Sequence, residues 1–167
     1  INEETYVSDI LVQNGKITKI EKNIKESGEE EINADGLHLY PGLVEAHAHI
    51  GLNNYGSSPK YGDINEKNDI ICPHLRAIDG FYPFNPILKN AVRGGVTTIG
   101  VGPGSANIIG GTFMAVKTVG TCVDDMIVKN PVAMKWAFGE NPKSAYENKS
   151  DNSRLTTAAK LREFLYL

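Results

Sequence analysis

Apolar and polar residues are interleaved in two short runs near the start of the chain. The runs span residues 9–13 and 16–20, and the pair Asn14-Gly15 separates them. Runs of this length that are rich in Ile, Leu and Val are typical of β-strands. Asn and Gly both accept the positive φ values of a type I′ turn, so the pattern predicts a β-hairpin.

A polar stretch and two further apolar runs follow. Residues 21–31 include three consecutive glutamates, which predicts a solvated connector. Residues 32–36 predict a short strand and a turn, and residues 37–40 predict another short strand. The chain up to Tyr40 is therefore expected to be rich in β-structure.

From Pro41 onward the pattern predicts strands alternating with helices. Residues 43–50 form an apolar run that begins abruptly after a Pro-Gly turn and predicts a strand. A long loop rich in Gly, Asn, Ser and Pro follows over residues 51–73, and a short helix is predicted over 74–80. Loops of this length are uncommon unless they serve a function.

The next helix and strand have clear boundaries. Asn85-Pro86 favours a helix start, and Gly94-Gly95 ends the helical segment 86–93. Residues 96–102 form a nearly continuous β-branched run, as in a buried parallel strand. The order strand, helix, strand predicts βα units of a parallel α/β structure.

The remaining pattern predicts further strands and a terminal helix. The strands correspond to apolar runs over residues 112–118, 126–129 and 132–138. Apolar residues recur at helical spacing beyond Ser153, and either Ser153 or Asn152 is suited to cap this helix.

Composition and charge exclude several classes of function. The 167 residues carry a net charge of -3 and no basic cluster, which argues against a nucleic-acid partner. No apolar run reaches the roughly 18 residues of a membrane span, and no secretory signal is visible. Cys72 and Cys122 lack the spacing of a zinc-binding pair and fit reduced thiols. We therefore expect a cytoplasmic protein without a membrane partner.

The predicted strand 43–50 contains two histidines at a spacing suited to metal binding. Side chains at positions i and i+2 of a strand point to the same face, so His47 and His49 share a face with Glu45. Two imidazoles whose Cα atoms are roughly 6–7 Å apart can reach one metal ion. A His-x-His pair alone is more often structural or exposed, but this pair ends an apolar strand and precedes a long loop.

The wider arrangement resembles the amidohydrolase superfamily. In that family a small β-sandwich begins the chain, and a Pro-Gly-(Leu/Phe)-(Ile/Val)-Asp-x-His-x-His segment forms the first barrel strand. The matching residues are Pro41, Gly42, Leu43, Val44, His47 and His49, whereas Glu45 stands where Asp is more usual. Residues 95–98 resemble the family's Gly-Val-Thr-Thr second strand, and residues 103–111 are most similar to the group related to imidazolonepropionase.

The resemblance implies an α/β fold that is part of a (β/α)8, TIM-like barrel. Residues 1–40 would belong to a composite β-sandwich domain, and residues 41–167 to the N-terminal part of the barrel. A complete barrel has eight strands and about 250 residues. We therefore expect this chain to be the N-terminal fragment of a longer protein.

The resemblance also implies a chemistry. His47 and His49 would bind the more buried of two divalent metals, usually zinc, and a metal-activated water would hydrolyse a carbon–nitrogen bond of a small-molecule substrate, such as a cyclic or other non-peptide amide. Family members also use a bridging Glu or Lys carbamate from a middle strand, two further histidines and an Asp that transfers a proton.

Three residues are candidates for additional roles. Glu140 follows the predicted strand 132–138 and is a candidate bridging metal ligand, and Lys135, as a carbamate, is the alternative. His74 is a candidate for the substrate pocket, whereas His38 is expected to be structural.

No histidine follows His74, so the family's later ligands have no counterpart in this chain. We therefore expect the chain alone to be inactive, and its open strand edges to favour a homo-oligomer. Three alternatives stay open: a catalytically inert fragment that holds one weak metal, a dipeptidase-type (prolidase-like) amidohydrolase, and an unrelated α/β binding module with an accidental His-x-His.

Overall fold

The computed structural model describes residues 5–53, 62–148 and 153–166. Cα packing divides the chain into two compact units, Ile1–Tyr40 and Pro41–Leu167. In the described ranges, no helix combines the length and the apolar character that a membrane span requires. The prediction that the first unit belongs to a composite β-sandwich stays a prediction.

The first unit contains the predicted hairpin. Strands β1 (Asp9–Gln13) and β2 (Lys16–Glu21) pair antiparallel. The turn residues Asn14 and Gly15 have φ values of 52° and 72°, as a type I′ turn requires. The prediction from the Asn-Gly signal is confirmed.

The two short strands predicted over residues 32–40 are not strands in the structure. Only the turn between them forms, with the amide of Leu37 donating to the carbonyl oxygen of Ala34 at 2.9 Å. A strand requires a partner backbone, and the described part of this unit contains a sheet of β1 and β2 alone. The apolar side chains of this segment are consequently exposed, including Ile32 at 80% and Leu39 at 73%.

The second unit begins with a parallel strand pair joined by a helical crossover. In chain order the elements are β3 (Leu43–Ala48), α1 (Ala77–Gly80), α2 (Pro86–Arg93) and β4 (Val96–Val101). Strands β3 and β4 pair parallel, as predicted. The start of α2 is also as predicted, because the Asn85 side chain accepts a hydrogen bond from the amide of Ile87 at 3.0 Å.

The strands after β4 depart from the predicted parallel order. They are β5 (Ile109–Lys117) and β6 (Ile127–Trp136), with the short helix α3 (Val123–Met126) between them. Both pairings, β4 with β5 and β5 with β6, are antiparallel. A parallel connection requires a crossover of about a dozen residues or more, and the segment between β4 and β5 is too short for one. The α/β class is confirmed, but the expectation of βα units throughout is wrong at β5.

Two reversals of direction bring β6 back to the direction of β3 and β4. The carboxyl ends of these three strands therefore lie at the same edge of the sheet, whose order is β3-β4-β5-β6. The two apolar runs predicted as separate strands over 126–129 and 132–138 join into the single strand β6.

Two helices complete the described chain. Helix α4 (Glu140–Ala145) occupies a segment for which the sequence predicted no element. Helix α5 (Arg154–Tyr166) is the predicted terminal helix, and the Ser153 hydroxyl accepts a hydrogen bond from the amide of Thr156 at 3.2 Å. The alternative cap, Asn152, lies outside the described residues.

One face of the four-stranded sheet carries the main apolar core. Ile99 and Val101 from β4 and Met114 and Val116 from β5 are completely buried on this face. The other buried members of the cluster come from the helices and the loops next to them: Leu52, Ala77, Phe81, Leu88 and Met126. Since side chains alternate along a strand, the residues between these positions face the opposite side of the sheet.

Candidate metal centre

The two histidines of β3 and its immediate extension lie on the face opposite the core. Ala48 and Ile50 pack against the apolar cluster, so alternation directs His47 and His49 to the other side. Their ring centroids are 5.3 Å apart, and the ring planes are nearly perpendicular. His47 is exposed and His49 is half-buried.

The orientation of His49 is set by the end of the neighbouring strand. Its Nδ1 lies 2.7 Å from the carbonyl oxygen of Gly102. A carbonyl oxygen only accepts hydrogen bonds, so Nδ1 carries the proton and Nε2 keeps a free lone pair. A hydrogen bond from the non-ligating nitrogen to a backbone carbonyl is the usual arrangement of a metal-binding histidine.

His47 is neighboured by a lysine from the far strand of the sheet. Lys135 Nζ lies 3.4 Å from His47 Nε2, and an ammonium group only donates, so Nε2 is the acceptor. Burial lowers the pKa of His47, and the charges of Lys135 and His49 lower it further, against the opposing effect of Glu45. These effects together favour the neutral form of the imidazole, which is the form that binds metals.

The contact between Lys135 and His47 spans the four-stranded sheet. Strands β4 and β5 separate β3 from β6, which puts the outer strands of a flat sheet about 14 Å apart. Backbones approach closely at two glycines of the sheet: a Cβ on Gly100 would collide with the Ala46 backbone, and a Cβ on Gly111 would lie 2.5 Å from the Leu75 carbonyl oxygen. The long side chain of Lys135 reaches across to the His47 ring.

Two neighbours complete the surroundings of the histidines. The Glu45 carboxylate accepts a hydrogen bond from the backbone amide of His47 at 3.0 Å, so it is tied to its own strand. The ring of Phe113, from β5, packs edge-on against His47 with centroids 5.4 Å apart.

Phe113 and Gly102 were not predicted from the sequence. Glycines at alternate positions 100 and 102 of a strand were a usable signal, because such glycines mark close approach.

In the structure, Glu140 pairs with two basic side chains. As the first residue of α4 it bonds to Lys143 at 3.0 Å and to Arg154 at 2.8 Å, and these two cations lower the pKa of its carboxyl group. The helix that starts at Glu140, which the sequence analysis did not predict, turns the carboxylate towards these partners. Its assignment as a metal ligand has no support from this geometry.

His74 lies in an exposed turn between Cys72 and Leu75. In the described parts of the chain, no hydrogen bond or ring contact links it to His47 or His49. A role for His74 in substrate binding stays a prediction.

The histidine pair fits one divalent cation. Two imidazole ligands of a tetrahedral zinc ion, at about 2.0–2.1 Å from nitrogen to metal, have ring centroids about 5 Å apart. The observed separation is 5.3 Å, and His49 already has the required tautomer. Among the residues that the structure describes, no group of three or more His, Cys, Asp or Glu side chains is placed to hold a metal. The spacing of the two imidazoles is therefore compatible with one shared cation.

No family model matches the chain. Among solved structures, an amidohydrolase from Thermotoga maritima MSB8 is similar with a TM-score of 0.87 and 41% sequence identity, and the match covers 94% of this chain and 42% of that one. The chain is 36% identical over 116 residues to the amidohydrolase tasK of Hapsidospora irregularis, which is 67% of this chain and 12% of that protein.

Shorter matches connect the chain with two named activities. It is 41% identical over 49 residues to a D-hydantoinase of Geobacillus stearothermophilus and 56% identical over 44 residues to a dihydroorotase of Streptococcus pneumoniae. These cover 29% and 26% of this chain, and 10% of each relative. They do not confirm the expected similarity to the imidazolonepropionase-related group. The chain spans about a tenth of the length of these curated relatives.

Proposed function

Because the chain belongs to the amidohydrolase family, we propose that it provides part of the active site of a metal-dependent hydrolase of carbon–nitrogen bonds. His47 and His49 are the two imidazole ligands of one divalent metal, with zinc the expected ion. The observation that carries the proposal is the hydrogen bond from His49 Nδ1 to the Gly102 carbonyl oxygen at 2.7 Å. It presents Nε2 for coordination before any metal arrives.

The residues of the chain hold the site in a state ready to bind. A divalent cation supplies Lewis acidity, which polarises a carbonyl oxygen and lowers the pKa of a water molecule. Before the metal binds, burial and the positive charge of Lys135 lower the pKa of His47, which favours the neutral imidazole that a metal requires. The backbone of β3 and the end of β4 fix the two rings on one face of the sheet.

Lys135 is the better candidate for a third protein group. Its side chain already contacts His47, whereas Glu140 is engaged by Lys143 and Arg154. A lysine ligates a metal only after losing its positive charge, and condensation of the neutral amine with CO2 gives a carbamate anion and a released proton. Lys135 in this form is our proposal for the bridging ligand.

The substrate that we propose is a cyclic amide. The relatives named D-hydantoinase and dihydroorotase point to small rings that contain an amide bond. Cyclic amides are a narrower class than the non-peptide amides that the sequence resemblance implied. The two named activities support neither the dipeptidase-type alternative nor an unrelated binding module with an accidental His-x-His pair.

Metal binding tests the proposal most directly, because it requires only residues present in this chain. The chain and its His47→Ala and His49→Ala variants would be loaded with Zn2+, and the bound metal counted by elemental analysis after removal of excess ion. We expect each substitution to remove most of the bound zinc.

His38→Ala is the matched control, since it removes an imidazole that stacks on Tyr40 in the first unit. It should leave zinc binding unchanged. Lys135→Met and Glu140→Gln separate the two candidate third ligands, and we expect only the first to weaken binding. Unchanged zinc content in both His47→Ala and His49→Ala would show that the proposal is wrong.

A further inference from the structure

Phe113 occupies a distinctive place beside the two histidines. It belongs to β5, is only 6% exposed and lies on the face opposite the main core. Its ring meets the His47 ring at 5.4 Å between centroids with an interplanar angle of 73°. This edge-to-face geometry is the favoured one for aromatic pairs.

Gly102 links Phe113 to the second histidine. A Cβ at position 102 would collide with several ring atoms of Phe113, so the ring occupies the space where any other residue would have its side chain. The carbonyl oxygen of the same Gly102 accepts the hydrogen bond from His49. One backbone position therefore contacts both the ring that packs on His47 and the ring of His49.

We propose that Phe113 is a positioning residue for both histidines. It sets the ring orientation of His47 by direct packing. Because it fills the space beside Gly102, it also sets the position of the Gly102 carbonyl group that orients His49. The proposal rests on the function proposed above, since its purpose is to hold two imidazoles for one metal. Phe113 itself contributes no ligand atom.

Among the described side chains that contact the His47 ring, Phe113 is the buried one, whereas His49 and Lys135 are half-buried. The His47 side chain is exposed and sits on an edge strand of the sheet. An exposed imidazole samples several rotamers, and fixing it on metal binding carries an entropic cost. A buried ring packed against it removes part of this freedom in advance, as preorganised sites require.

The first experiment needs no metal. In the chain with 15N-labelled histidine, NMR would detect nuclear Overhauser contacts between the rings of Phe113 and His47, and the protonated nitrogen of His49. We expect the contact to be present and His49 to be protonated at Nδ1. Phe113→Leu should shift the His47 ring resonances. Absence of the contact in the wild-type chain would overturn the proposal.

The second experiment measures affinity for Co2+, whose visible absorption reports coordination geometry. Phe113→Leu should weaken binding on the order of tenfold, as loss of a supporting neighbour does at metal sites. The matched control is Phe81→Leu, which makes the same change at a buried ring of the main core. It should cost similar unfolding free energy with little change in Co2+ affinity or spectrum. Equal losses of Co2+ affinity in the two variants would mean that Phe113 contributes only to general packing, and would overturn the proposal.

A double-mutant cycle tests the pathway through Gly102. Gly102→Ala should also weaken Co2+ binding, because the added methyl displaces the Phe113 ring. The double variant Gly102→Ala/Phe113→Leu should recover part of that loss, since leucine leaves room for the methyl. Strictly additive losses would contradict the pathway. If the wild-type chain binds no Co2+ at all, the proposed function fails, and the NMR contact decides the positioning role on its own.

Discussion

Two buried polar side chains join three segments of the second unit. The Asn107 amide donates to the carbonyl oxygen of Asp69 at 2.7 Å and to the Tyr146 hydroxyl oxygen at 2.9 Å. The Tyr146 hydroxyl in turn donates to the Glu66 and Asp69 carbonyl oxygens. Asn107 is completely buried and Tyr146 is 4% exposed. The loop after β3, the loop after β4 and helix α4 are therefore tied together by hydrogen bonds.

We predict that Tyr146→Phe lowers the free energy of unfolding by about 1–3 kcal/mol, because it removes the buried hydrogen bonds that the hydroxyl makes with Asn107, Glu66 and Asp69. Urea denaturation measures the change. Tyr82→Phe is the matched control, since Tyr82 is 53% exposed and its hydroxyl is open to water. Equal stability of the two variants would contradict a structural role for the buried hydroxyl.

The same tyrosine predicts a dependence of stability on alkaline pH. Burial, followed by the effects of Cys72, Glu66 and Asp69, raises the pKa of Tyr146 from 10.0 to about 12. The unfolded chain loses this proton near its ordinary pKa while the folded chain keeps it. Stability from this group is therefore complete below pH 10.0 and is lost as the pH rises to about 12.

Comparing the wild type with Tyr146→Phe isolates this contribution from other groups that titrate in the same range. The difference in unfolding free energy between the two proteins should shrink across this pH interval. A difference that stays constant would show that Tyr146 titrates at its ordinary pKa.

At the scale of residues, local spacing predicted the histidine pair but not its surroundings. Two imidazoles at positions i and i+2 of a strand share a face whatever the rest of the fold does. The partners of these imidazoles are far away in sequence: Gly102 is 53 positions from His49, and Lys135 is 88 positions from His47. Their approach depends on strand order and pairing, which spacing along the chain does not encode.

At the scale of elements, two helices begin with capping residues that differ in burial. Asn85 is 2% exposed, and besides capping α2 its amide donates to the carbonyl oxygen of Asn53 at 2.6 Å. Ser153 caps α5 from an exposed position. The same type of signal in the sequence thus corresponds to two different energetic roles.

We predict that Asn85→Ala costs about 2–4 kcal/mol, because it removes a cap and leaves a backbone carbonyl without its donor. Ser153→Ala should cost about 0.5–1 kcal/mol, since water replaces the lost hydroxyl. Denaturant unfolding of both variants measures the contrast. A larger loss for Ser153→Ala would mean that burial does not govern the strength of these caps.

The sequence predicted elements well where their determinants are local. The Asn-Gly hairpin and helix α2, with its Asn-Pro start and Gly-Gly end, lie where the pattern placed them. The direction of β5 was not predicted correctly, because an apolar run at residues 112–118 has the same pattern in a parallel and in an antiparallel pairing. The residues 37–40 have strand-like composition, but composition does not supply a partner strand.

At the scale of the whole molecule, the second unit is built on a sheet with the apolar core on one face and the two histidines on the other. Its core side resembles that of any small α/β domain, with aliphatic side chains from β4 and β5 packed against short helices. The opposite side has glycines at the centre and carries His47, His49 and Lys135 around them. The sequence predicted the α/β class and named these three side chains as candidates, whereas the arrangement of the face depends on long-range pairing.

The unequal lengths of the strand connections have a consequence for the order of folding. Strands β4, β5 and β6 are joined by short connections, whereas β3 reaches β4 only after the long crossover that contains α1 and α2. Short loops close at lower entropic cost, so the β4–β5–β6 meander should form first and β3 should dock late.

His47 and His49 belong to β3 and its extension, so we expect the metal site to be completed after the folding barrier has been crossed. We predict that saturating Zn2+ leaves the refolding rate nearly unchanged and slows unfolding, as expected for interactions absent from the transition state. Stopped-flow measurements with and without the ion would test this order. Zinc-accelerated refolding would instead place β3 in the folding nucleus, and the cation would then act as a template for the fold.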